Sequence, residues 1–148
     1  MHTIVESFLS YRVLVVPCGA WFVAQVLKLL ISLIQDRRLD LSYMVKMGGM
    51  PSAHSSTVCA LATTIAILDG INSTAFAIAV FFAIIVMNDA TGVRQTVGTQ
   101  SGILNRMLDE LFKGRPAFEQ RLKEFIGHTR LEIIAGGLLG ILLAWWWT

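Results

Sequence analysis

His54 stands in Gly48-Gly49-Met50-Pro51-Ser52-Ala53-His54-Ser55-Ser56, a glycine- and serine-rich turn where a charged stretch gives way to an apolar run. Pro51 is pre-set for the first turn of a helix, and Ser52 or a neighbouring serine can cap it. The unpaired N–H groups of that turn, with the positive end of the helix dipole, suit an anion such as phosphate. A histidine in the first turn can give or take a proton beside the bound group. The plainer alternative is that Gly-Gly followed by Pro-Ser only starts a helix.

A second histidine lies far along the chain, in Gly127-His128-Thr129-Arg130-Leu131-Glu132. Residues four apart share a helical face, so Glu132 can hydrogen-bond one imidazole nitrogen of His128, fix its tautomer and leave the other free. An activated nucleophilic histidine requires that arrangement, although an interfacial structural contact has the same spacing. Lys28 is the one charge within an apolar run, with Gln25 about a turn further in. It can reach a phosphate or snorkel its ammonium to lipid headgroups. Asn88-Asp89-Ala90-Thr91-Gly92-Val93-Arg94 closes another apolar run. There Arg94 can clamp an anion that Asp89 helps to orient. Alternatively, Gly92 is a left-handed helix stop and Arg94 complements the dipole. His54 and His128 lack the compact spacing of a zinc motif, so no metal or organic cofactor is expected.

The elements that carry these residues belong in a bilayer. Of 148 residues, 55% are hydrophobic and 15% charged, against roughly 25% charged in a soluble domain. Residues 13–34, 52–68, 71–88 and 133–148 are apolar runs in which Lys28 is the one Lys, Arg, Asp or Glu, and the last ends in Trp145-Trp146-Trp147. Because roughly 20 apolar residues span a membrane, they read as four transmembrane helices, the second and fourth slightly short. The first run is too long for the apolar core of a signal peptide and is expected to stay in the mature chain. Cys18 and Cys59 fall inside spans and read as packing residues.

Between the third and fourth runs, Ile103, Leu104, Met107, Leu108 and Leu111 recur at helical spacing among Arg106, Asp109, Glu110 and Lys113. That pattern describes an amphipathic helix on the membrane surface or over the bundle mouth. Gly114-Arg115-Pro116 breaks it, and Phe118, Leu122, Phe125 and Ile126 form a second, shorter stripe. The fold expected is an all-α integral membrane bundle, a single domain over residues 1–148. Its net charge of +2 says little about nucleic acid, and no nucleic-acid partner is expected of a chain embedded in lipid. A homo-oligomer is compatible with it.

Lys28, the block from Gly48 to Ser55, the block from Asp89 to Arg94, and Gly127-His128 with Glu132 together resemble a family. They are similar to the divergent bacterial and plant branch of the type 2 phosphatidic acid phosphatase superfamily, which also holds vanadium-dependent haloperoxidases. The likeness runs over nearly the whole chain. The superfamily pattern has a lysine with Arg-Pro after it, then Pro-Ser-Gly-His, then Ser-Arg followed by a histidine and an aspartate. The resemblance implies that His128 is the nucleophile, Glu132 its orienting acid, His54 the proton donor to the leaving group, and Lys28 a phosphate ligand. The arginines depart from the pattern: no Arg-Pro follows Lys28 at the expected distance, though Arg37 and Arg38 come slightly later. Leu122 stands where an arginine is expected, with Arg121 one residue off, and Arg115-Pro116 comes in the wrong order. Arg94 is the preferred substitute.

The reading is a membrane phosphatase acting on a lipid phosphate monoester or pyrophosphate through a phosphohistidine. His128, His54 and Glu132 are catalytic, and Lys28, Arg94, Gly49, Ser52 and Asp89 hold the phosphate. A non-catalytic lipid-phosphate binding or transport protein on the same scaffold is the rival. Ten of the twelve basic residues lie between the first and second or between the third and fourth runs. The positive-inside rule makes that side cytoplasmic, in what reads as a bacterial cytoplasmic membrane, with both termini outside. Reporter fusions at residues 69–73 should therefore read external, and fusions within residues 92–130 cytoplasmic; the opposite pattern inverts the topology.

Overall fold

The computed structural model describes residues 11–36, 49–111 and 128–148. Five helices follow in order: α1 (Arg12–Asp36), α2 (Ala53–Asp69), α3 (Thr74–Thr91), α4 (Val93–Leu111) and α5 (Arg130–Trp147). No strand occurs among the described residues. The second amphipathic stripe, the Gly114-Arg115-Pro116 break and the basic residues Arg37, Arg38, Lys46, Arg121 and Lys123 lie outside them.

The distribution of side chains is inside-out relative to a water-soluble bundle. The core joins Val16, Ala20, Ala60 and Ala144, with Leu143 packed against it. The largest side chains that are fully buried are Thr64, Ser52, Ser55 and Ser56. Large apolar groups such as Ile78, Phe81, Ile85, Leu138 and Trp146 point outward. A chain folding in water would bury these groups, whereas lipid tails solvate them as well as a protein core does. Among the described residues three segments are long and apolar enough to cross a membrane: Arg12–Ile34, Thr74–Leu111 and Arg130–Trp147. Helix α2, with 17 residues, is at the lower limit for a span. It packs against α1, α3 and α5. The protein is thus an all-α integral membrane bundle.

Helix α2 approaches α5 closely because α5 offers glycine there. A Cβ added at Gly136 would collide with the main-chain oxygen of Ser52, and one at Gly140 with that of Ser56. These two glycines, spaced as small-xxx-small, let the backbones meet as helices do in lipid. Two polar contacts fasten the same end of α2. The Ser52 N–H donates to the Glu132 carbonyl of α5 (3.0 Å), and the Ser56 hydroxyl donates to the Ala20 carbonyl of α1 (3.3 Å). At the far end of α5 the Trp147 ring covers Gly19 of α1, and the Arg12 guanidinium donates to the Thr148 carbonyl.

Helix boundaries follow local chemistry, with two corrections to the sequence reading. Ser52 caps α2 by accepting from the Ser55 N–H. Pro51 therefore precedes the cap rather than opening the first turn, and its bond to Met50 is cis. Gly70, at φ +86°, opens the turn between α2 and α3, where Ser73 caps α3 by accepting from the Phe76 N–H. Gly92 does not form the left-handed stop that is one of its two readings. It lies instead at φ −91°, ψ −73°, with its N–H on the Asn88 carbonyl and its own carbonyl accepting from Thr96. The helical hydrogen-bond ladder crosses it, so α4 continues from α3 and starts ten residues before the apolar stripe that marked it in sequence. Ile103, Leu104, Met107 and Leu111 are exposed along α4, which packs on α3.

The seam makes a graded stability test. Gly140→Ala drives a methyl into main-chain atoms, which cannot swing aside, and should cost about 1–3 kcal/mol. Gly137→Ala brings its Cβ to 3.3 Å from the Cys59 sulfur, a side-chain atom that can yield, and should cost distinctly less. Thermal unfolding in detergent compares the two; equal losses would mean that the close approach does not hold the bundle together.

Candidate functional site

The start of α5 and the start of α2 bring both histidines to one place. Thr129 caps α5, its hydroxyl accepting from the Glu132 N–H at 3.3 Å. Thr129-Arg130-Leu131-Glu132 has the spacing of a capping box, a signal the sequence reading did not use. Here, however, the Glu132 carboxylate turns to His128: Nδ1 and Oε2 are 2.7 Å apart. Nδ1 is thereby committed to the carboxylate, leaving Nε2 as the ring nitrogen available for chemistry. The His128 main chain is fixed as well, its N–H donating to the Ala90 carbonyl of α3 at 3.0 Å. His128 is 4% exposed.

The His54 ring lies across from it, with centroids 6.2 Å apart and planes at 64°, an edge-to-face arrangement. His54 is exposed where His128 is buried, so a reactant entering between them meets His54 first. Lys28 is 5% exposed, deep in α1 rather than snorkelling outward. Its aliphatic stem runs under Gly49, where a Cβ would sit 3.5 Å from Cγ and Cδ. Glu132 is the charged group that acts on its ammonium. Gly49 takes φ +85°, a conformation that costs other residues about 1–2 kcal/mol.

Of the residues singled out in the sequence, Lys28, Gly49, Ser52, His54, His128 and Glu132 thus converge. Ser52 is engaged inside the protein at both polar groups, its N–H on Glu132 and its hydroxyl oxygen accepting from Ser55. It positions the turn rather than offering a free N–H to an anion. Asp89 is half-buried in α3 beside Ala90. Arg94 lies in the first turn of α4, and its side chain is outside the described structure. The Ala90 carbonyl is a further positioning group that carries no sequence signal, because any residue supplies one. Among the described residues no cluster of three or more His, Cys, Asp and Glu side chains could hold a metal ion.

The class that the fold and site define is an all-α membrane bundle carrying a carboxylate-bound histidine, a second histidine facing it and a buried lysine. Residues 9–143 match the sequence model of the Divergent PAP2 family, and the chain belongs to that family. It is also 40% identical over 131 residues to YuiD of Bacillus subtilis (strain 168), described as an uncharacterized membrane protein, across 81% of this chain and 83% of the relative. No solved structure matches.

The His128–Glu132 pair makes a direct spectroscopic prediction. In 15N-histidine spectra the neutral His128 ring should carry its proton on Nδ1, and Glu132→Ala should abolish that preference while His54 stays unchanged. An unaltered His128 tautomer in the variant would mean that the carboxylate does not set it.

Proposed function

We propose that the protein is a membrane lipid phosphatase, cleaving a phosphate monoester or pyrophosphate through a phosphohistidine. The observation that carries this reading is the 2.7 Å His128 Nδ1–Glu132 Oε2 contact beneath the His54 ring. Family membership supports it at the coarser level of a PAP2-related membrane protein.

In the first step Nε2 of neutral His128 attacks phosphorus. The N–P bond forms as the bond to the leaving oxygen breaks, and His54, protonated, gives that oxygen its proton. Glu132 stabilises the positive charge that develops on the His128 ring. In the second step His54, now neutral, takes a proton from water, whose oxygen attacks phosphorus. The N–P bond breaks, and inorganic phosphate leaves with both histidines restored. Lys28 opposes the charge on the phosphoryl oxygens, and its burial strengthens that interaction relative to a hydrated ammonium. Gly49 and Arg94 complete the proposed phosphate ligands, with Asp89 helping to orient the bound group and Ser52 holding the turn that carries Gly49. The lipid tail stays in the bilayer. We take this face as cytoplasmic because the basic segments lie on its side.

Release of phosphate from detergent-solubilised protein, over a panel of lipid phosphates, tests the reading. His128→Ala should abolish both phosphoenzyme and turnover. Glu132→Gln should lower kcat more than it raises KM, and His54→Ala should slow phosphoenzyme formation by about 10²–10⁴-fold, most for poor leaving groups. Arg94→Lys should weaken substrate binding because a point charge does not replace a planar fork. Vanadate should inhibit, and added alcohols should accept phosphate in competition with water. Turnover that survives His128→Ala overturns the mechanism; lipid phosphates that bind without turnover favour the non-catalytic binder.

A further inference from the structure

Helices α3 and α5 both pack on α2 but touch each other sparsely, and the space between them is an open groove of about 660 Å³. Its walls are apolar, with Ile84 on α3 and Ile134 and Leu138 on α5, while Asn88, Thr91 and Arg130 line it at one end. The groove is not the histidine site, since neither histidine, Lys28 nor Glu132 lines it. Arg130 and Ile134 are each two residues from Glu132, about 200° around the helix, so α5 presents its histidine pair and its groove wall to different sides.

Arg130 is the one charged residue of the lining. It is exposed, and among the described residues it makes no ion pair. Its position is electrostatically unusual. It occupies the first turn of α5, where the helix dipole disfavours a cation and attracts an anion. The guanidinium adds to the positive field on its own side of the helix start, while the Glu132 carboxylate of the same turn is engaged by His128 on the other side. The lining supplies no carboxylate to offset that field. A cation at the headgroup end of an apolar interhelical groove fits a ligand with a negative head and a long hydrocarbon tail.

We infer that the α3–α5 groove is a second lipid site, separate from the histidine cluster, that selects an anionic phospholipid of the leaflet on that side. Its phosphate pairs with Arg130, and one acyl chain lies along Ile84, Ile134 and Leu138. Asn88 adds a polar side chain at headgroup level. The bound lipid fills the space that α3 and α5 leave between them, so its binding stabilises the folded bundle by mass action.

Thermal unfolding of the full chain in dodecyl maltoside, with dioleoyl phosphatidylglycerol or dioleoyl phosphatidylcholine added, tests this site. Phosphatidylglycerol at about 100 times its Kd should raise Tm by about 5–10 °C, with a much smaller rise for phosphatidylcholine. Arg130→Gln should remove the difference between the lipids. Leu138→Trp, at an exposed position, should fill the groove and remove the response to phosphatidylglycerol, whereas His128→Ala should retain it. Equal stabilisation of the unaltered protein by both lipids overturns the proposal without any variant. So does a full phosphatidylglycerol response in Arg130→Gln, or its loss in His128→Ala, which would put the headgroup in the histidine site. Since none of these readings involves turnover, a protein without phosphatase activity leaves the test intact.

Discussion

The approach of α2 to α5 is the constraint from which the rest of the arrangement follows. Gly136 and Gly140 remove the side chains that would hold the two backbones apart, and Ser52 and Ser56 present main-chain oxygen directly to them. At that distance the Ser52 N–H reaches the Glu132 carbonyl, and this bond sets the start of one helix against the start of the other. His54 lies two residues after Ser52, and His128 four before Glu132. One main-chain hydrogen bond therefore fixes the separation of the two imidazoles. With Ser52 fully buried, such a bond has no water to compete with it, and an unpaired N–H would cost roughly 2–7 kcal/mol, the desolvation penalty of a peptide group.

The third helix completes this geometry through its main chain. The Ala90 carbonyl receives the His128 N–H while the Glu132 carboxylate holds the ring, so the residue is fixed at backbone and side chain together. Lys28 enters from α1, its stem under Gly49. Each of the four helices around the cluster supplies one element of it, and no single helix could assemble the set.

Much of this was legible from residue types. Long apolar runs give the helices, a serine after proline gives the α2 cap, and the four-residue spacing of His128 and Glu132 gives their contact. Chemistry carried by the main chain was not legible. Ala90 acts through its carbonyl, a group every residue possesses, so sequence does not distinguish it, and the Ser52 N–H that meets Glu132 is equally silent although the Ser52 hydroxyl marks the cap. Gly136 and Gly140 are inconspicuous within an apolar run because glycine carries no polarity signal, yet they decide which helices touch. Gly92 was ambiguous for a related reason: glycine permits a left-handed stop without requiring one, and the hydrogen bonds to Asn88 and from Thr96 keep it helical. Lys28 could snorkel or turn inward by composition alone, and only the space beneath Gly49 distinguishes the two.

The seating of α2 also has a consequence in time. This helix is short, rich in serine and threonine on its inner side, and finds its polar partners on α1 and on α5. During synthesis α1, α2 and α3 leave the ribosome well before α5, so the backbone group that Ser52 satisfies does not yet exist. Until α5 arrives, the amino-terminal turn of α2 must remain hydrated at the membrane surface or be shielded by the insertion machinery. The two histidines consequently meet only when the last helix docks, and a partly made chain carries His54 without its counterpart.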